Sequence, residues 1–208
     1  SRGKYVYFVD SDDILIPQAL DILHATAEHT DADVIHMSGY YETTQDDDHP
    51  ISIKSLKLER EPYNKAGLLN ENIFYRLDRC CQRFDSGEGI RPMAWLFCCK
   101  KSALEDFNLN FEPIISEDEL FSFELLCNVK KIFIIHKALY IYRKRQNSIM
   151  SNYNFKRFAN GIFSLKIVVD KMKFVMNQNH FLKDNPKFQE NVIWRMLEGF
   201  INNHIKQF

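Results

Sequence analysis

Neither sign of charge is in excess in this chain: 27 basic and 28 acidic side chains leave a formal net charge of −1 over 208 residues. Nothing argues for a nucleic-acid partner, and no acidic excess argues for disorder. Glycine is scarce, with seven residues, so substantial helix is expected rather than a scaffold of tight turns. The five cysteines (Cys80, Cys81, Cys98, Cys99 and Cys127) have no CxxC spacing for zinc and no even framework for disulfides. Buried, reduced cytosolic thiols are the expectation. The seven histidines contain no HxxxH pair, and neither a GxSxG elbow nor a P-loop is present. No apolar run is long enough to span a bilayer, and no signal peptide opens the chain.

What is present is apolar and aromatic: 45% of residues are hydrophobic, with 17 Phe, 9 Tyr and 2 Trp. That suffices for a real core, read as one α/β domain over residues 1–150 and a helical extension over 151–208. KYVYFV (4–9) reads as a central strand covered on both faces. Pro17 suits a helix first turn, with Leu20, Leu23 and Ala27 on one stripe, and DVIHMS (33–38) reads as the next strand. Strand-helix-strand order signals parallel α/β architecture. Beyond it the pattern predicts a solvated Asp46–Asp48 loop, an edge strand at 51–59 and a helix at 65–84. Further on come a strand near WLFCCK, a helix at 117–128, and strands at 131–135 and 139–143. In the tail, Phe155, Phe158, Ile162, Leu165, Val169, Met172 and Met176 form an apolar stripe, and a second helix follows Pro186. Lys166, Lys171 and Lys173 beside the stripe leave peripheral membrane contact open. The chain begins Ser-Arg-Gly and enters a buried strand within four residues, which reads as a piece of something longer.

GKYVYFVDSDDIL (3–15) ends its apolar run at Asp10, Asp12 and Asp13. If the strand continues, residues i and i+2 share a side, so Asp10 and Asp12 sit together. Ligands collect at the carboxyl ends of such strands, and clustered carboxylates favour a cation, with Mg²⁺ or Mn²⁺ suited to hard oxygen donors. A capped turn is the bland alternative. A calcium loop fails on spelling, since its sixth position would be Leu15 rather than glycine. Phosphatases of the haloacid dehalogenase type also place DxD after a strand. Here Asp13-Ile14 stands where they carry a Gly-Thr-like pair, so that reading, with Asp10 as nucleophile, is the runner-up.

ISEDELFSFELL (115–126) holds a second acidic run. Ser116 and Glu119 spell a capping box, which accounts for those two but does not require Glu117 or Asp118. The alternative is a carboxylate held at a helix start as a general base. YIYRKRQNSIM (140–150) puts Arg143 and Arg145 on one side of a strand or its exit, as phosphate forks or as a solvated edge. Trp95 is either core or a platform for an acceptor sugar.

Taken together, GKYVYFVDSDDIL, ISEDELFSFELL and KIFIIHKALYIYRKRQNSIM resemble, in order and rough spacing over about residues 1–150, the pattern of glycosyltransferase family 2. The resemblance implies a GT-A-type mixed sheet (the nucleotide-diphospho-sugar transferase fold) with a helical extension. It also implies inverting sugar transfer from a nucleotide-sugar, a UDP-sugar first, to a glycan or lipid-linked acceptor in bacterial surface-polysaccharide synthesis. By position, Asp10 would contact donor ribose or metal, Asp12 would hold Mg²⁺ or Mn²⁺ on the diphosphate with Asp13 adjacent, and Asp118 would be the catalytic base. Arg143 and Arg145 would assist the diphosphate charge. The expected location is cytoplasmic, peripheral at the inner face of the membrane. Family members begin with strand-helix-strand units of roughly 30 residues each. The nucleotide-binding N-terminal half is therefore expected to be missing here, and the isolated fragment inactive. A non-catalytic interaction fragment is the remaining alternative.

Overall fold

The computed structural model describes residues 2–44, 57–58, 67–69, 71–85, 89–144 and 155–205. In chain order the strands are β1 (Tyr5–Tyr7), β2 (Ile14–Leu15), β3 (Val34–Met37), β4 (Tyr41–Thr43), β5 (Lys57–Leu58), β6 (Gly67–Leu68), β7 (Phe97–Lys100), β8 (Ile132–Ile135) and β9 (Tyr140–Arg143). The helices are α1 (Ala19–Thr30), α2 (Ile73–Asp85), α3 (Lys101–Asp106), α4 (Glu117–Asn128), α5 (Phe155–Gln178) and α6 (Pro186–Ile205). Two compact units emerge, neither a single stretch of sequence: residues 1–69, 93–106 and 129–148 form one, and residues 70–92, 107–128 and 149–208 the other. Two helices from the middle of the chain, α2 and α4, thus group with the tail rather than with the strands.

The first unit contains two sheets, ordered β1-β7-β3-β8-β6 and β2-β9-β4-β5. All four residues of β3 are buried, between antiparallel β7 and parallel β8. β1 and β3 run in the same direction, as their order in sequence predicts, but β7 intervenes and makes the sheet mixed. β1 is only partly buried and shorter than its apolar run suggested. The Asp33 carboxylate fastens the approach to β8 by accepting the backbone N–H groups of Lys130 at 3.0 Å and Lys131 at 2.9 Å. On α1 the buried line is Ala19, Leu23 and Ala27, while Leu20, placed on the stripe from the sequence, is 61% exposed. A strict four-residue spacing keeps a line on one face, and Leu20 falls off it.

The second unit is helical: α2 contacts α4 and α6, and α5 contacts the same pair. The buried line of α5 is Ser164, Val168, Met172 and Met176, again at four-residue intervals. Ile162 turns outward, and the side chains of Phe155 and Phe158 lie outside the described set. Where a helix was predicted from residue 65, β6 appears instead. Gly67 has φ of 136°, a conformation only glycine adopts easily, and α2 starts at Ile73. The Asp46–Asp48 loop and most of the predicted 51–59 strand lie outside the described residues. All five cysteines are buried free thiols. Among the described residues no helix is long and apolar enough to cross a membrane.

Candidate active site

β1 ends at Tyr7, and the chain turns at Asp10–Asp13, where the Asp13 N–H donates to the Asp10 carbonyl at 3.1 Å. Aspartate favours the first position of such a turn. Strand parity therefore does not govern Asp10 and Asp12, contrary to the sequence expectation; the turn does. Asp10 is exposed, and Asp12 and Asp13 are half-buried.

Asp13 engages both of its oxygens. Oδ2 accepts the Tyr140 hydroxyl at 2.8 Å, and Oδ1 accepts the Arg143 backbone N–H at 2.8 Å. The Tyr140 oxygen in turn accepts the Asp10 N–H at 3.1 Å. β2, directly after the acids, pairs antiparallel with β9, setting Leu15 opposite Tyr140. The acid turn is thereby tied to a strand that lies far along the sequence. Burial lifts the Asp13 carboxyl above its ordinary value. The Arg143 amide and Tyr140 hydroxyl oppose that rise, and Asp12 and Asp10 add to it. Burial also raises the Tyr140 phenol.

Behind Tyr140 stands Trp95, its ring stacked at 4.4 Å and 13°. Tyr40 meets Trp95 edge-on at 5.0 Å. Trp95 is 7% exposed, so it is core that backs Tyr140 and not an open sugar platform. Arg143 gives its backbone N–H to Asp13, while its side-chain Nε is buried without a hydrogen-bond partner among the described residues. Arg145 lies outside the described residues. Sequence reasoning missed Tyr140, although the alternation of YIYR, which puts Tyr140 and Tyr142 on one side, was the available signal.

No group of three or more His, Cys, Asp or Glu side chains among the described residues is arranged to hold a metal ion. Both oxygens of Asp13 are engaged within the protein, and of the three carboxylates Asp10 is the exposed one. The carboxylates of Asp10 and Asp12 do not make an all-protein cage, but they fit an ion such as Mg²⁺ that brings substrate phosphates as further ligands.

In the second unit, Glu117, Asp118 and Glu119 open α4, where acids complement the helix dipole. The predicted capping box does not take its usual form. Ser116 has φ of 66°, in the left-handed region, whereas an N-cap residue is normally extended. The Glu119 N–H donates to the Ser116 carbonyl at 3.1 Å. Just ahead, the Ile115 N–H donates to Ser164 Oγ of α5 at 3.1 Å. Asp118, half-buried, is the second helical residue.

No family model matches the chain. It is similar to the poly(ribitol-phosphate) beta-N-acetylglucosaminyltransferase TarP of Staphylococcus aureus, 28% identical over 136 residues, covering 64% of this chain and 35% of that protein. It is also similar to the glycosyltransferase GlyG of Streptococcus pneumoniae, 26% identical over 179 residues, covering 80% of this chain and 54% of that protein. The crystal structure of S. aureus TarS 1–349 in complex with UDP-GlcNAc matches with a TM-score of 0.65 over 97% of this chain and 50% of that one, at 14% identity. The fold is thus GT-A-like mixed α/β. The chain spans between 35% and 54% of the length of these curated relatives.

Proposed function

We propose that these residues belong to an inverting glycosyltransferase of family 2 that moves a sugar from a UDP-sugar to a hydroxyl of a glycan or lipid-linked acceptor, in bacterial surface-polysaccharide synthesis. The observation that carries the reading is the Asp10–Asp13 turn, pinned by Tyr140 and Arg143 within a GT-A-like fold. Relatives named as glycosyltransferases, and TarS structures with UDP-GlcNAc and with UDP, support it.

Asp10 and Asp12 would hold Mg²⁺ or Mn²⁺, and Asp10 would also reach the donor ribose. When bound, the ion supplies positive charge against the departing nucleoside diphosphate. Asp13 holds the turn in place. Arg143 and Arg145 would assist the diphosphate charge. Asp118 removes the proton from the acceptor hydroxyl. Peripheral contact with the inner face of the membrane draws support from Phe163 and Trp194, 66% and 67% exposed. The lysines support it less, since Lys166 pairs with Asp170 at 2.7 Å and Lys171 pairs with Glu112.

The test is sugar transfer by the natural protein carrying these residues. Asp118→Asn should lower transfer by about 10²–10⁴-fold while metal-dependent UDP binding persists. Near-normal turnover in that variant would remove Asp118 from the role of base.

A further inference from the structure

The second unit has a cleft of about 470 Å³ where the loop at residues 107–112 faces α4 and α5, lined by no residue of either acid run. That volume lies within the range of small-molecule sites. Two aromatic rings stand at the cleft with much of their surface open: Phe107 is 42% and Phe174 65% exposed. Large rings left in water beside a concavity offer flat apolar faces to a ligand. The polar lining is fixed from within. Asn110 donates to the Asn108 carbonyl at 3.0 Å, and Asn128 donates to the Glu124 carbonyl at 2.8 Å. Asn110 also donates to Asn108 Oδ1 at 3.1 Å, so it offers a ligand its acceptor oxygen, while Asn128 offers an acceptor oxygen and a second amide proton. The half-buried Glu124 carboxylate receives no hydrogen bond among the described residues, and Lys171 is already paired with Glu112. Burial raises the Glu124 carboxyl, an effect that Lys171 opposes and Glu112 augments.

Two carboxylates against one ammonium disfavour a phosphate or nucleotide, and the oriented amides disfavour a purely apolar ligand. What fits is a molecule with an apolar face and a rim of groups that both donate and accept. A pyranose has that form, with C–H bonds for the Phe rings and vicinal hydroxyls for amide and carboxylate oxygens. We propose that this cleft binds a neutral sugar unit of a glycan chain, as a holding site separate from catalysis. The proposal does not rest on the transfer reading, because it needs no donor nucleotide and no metal.

The experiment is ligand-detected saturation-transfer NMR on the natural protein carrying these residues, with the tetrasaccharides of N-acetylglucosamine and of glucose as probes and UDP as competitor. At least one tetrasaccharide should receive saturation at its ring C–H protons, and Phe174→Ala and Asn128→Ala should each weaken it at least tenfold with circular dichroism unchanged. Phe174 is mostly solvent-exposed, so its truncation leaves the helical packing intact and keeps the test readable. No transfer to either sugar, equal transfer in the Phe174→Ala chain, or displacement of the sugar by UDP would each overturn the proposal.

Discussion

Asp10–Asp13 and Glu117–Glu119 are both runs of carboxylates that come after apolar residues, yet they are held by opposite means. The second run sits on its own helix, whose N-terminus favours acids at every one of its positions. The first has no helix beneath it. Its shape comes from a turn hydrogen bond and from Tyr140 and Arg143, which lie 127 and 130 residues from Asp13 in sequence. The second run has its own helix for support, with the Ile115–Ser164 hydrogen bond just ahead of it, whereas the first depends on a distant strand.

Breaking the tether from behind should have the largest effect. Trp95→Ala removes the ring stacked on Tyr140 and should cost about 3–5 kcal/mol of stability, read by denaturant unfolding. Tyr140→Phe deletes only a hydroxyl but strands Asp13 Oδ2 and the Asp10 N–H, and should cost about 1–3 kcal/mol. Asp118→Asn, which removes one acid from the start of α4, should cost less, about 0.3–1 kcal/mol. Equal costs for these last two variants would dissolve the contrast between the runs. Ser116→Gly should raise stability by up to about 1 kcal/mol, since glycine occupies the left-handed region without the Cβ penalty. The smallest effect is a pH slope. Asp13 and Glu124 both have carboxyls raised by burial, so the folded state binds their protons more tightly than the unfolded state. Their contribution is full below the ordinary carboxylate range and is lost as pH rises through the raised values. Glu124→Gln should flatten that part of the stability-against-pH curve, measured by thermal melts across acidic pH.

Much of the architecture was legible because apolar pattern and backbone period agree locally. The helix from Glu117 to Asn128, and strands at the IFII and YIYR segments, fall where their residues placed them. What escaped depends on tertiary partners. The apolar run of KYVYFV does not show that pairing stops at Tyr7, because a turn hydrogen bond and a tyrosine from β9 set the course of the chain beyond that point. The three aspartates were visible as a cluster, but not the division of labour among them, with Asp13 committed inward. Leu20 and Ile162 looked like core by composition and are exposed, because the packed faces run at four-residue spacing through Ala19 and Ser164 instead. The grouping of α2 and α4 with the tail helices leaves no mark in local sequence at all.

Calorimetric titration with UDP, with and without Mn²⁺, tests the central claim most directly when the natural protein carrying these residues is compared with its Asp12→Asn variant. Binding that requires Mn²⁺ and weakens at least tenfold in the variant is the predicted result. UDP binding that is indifferent to Mn²⁺, or equal in the two proteins, would contradict the account of the acid turn as a donor site.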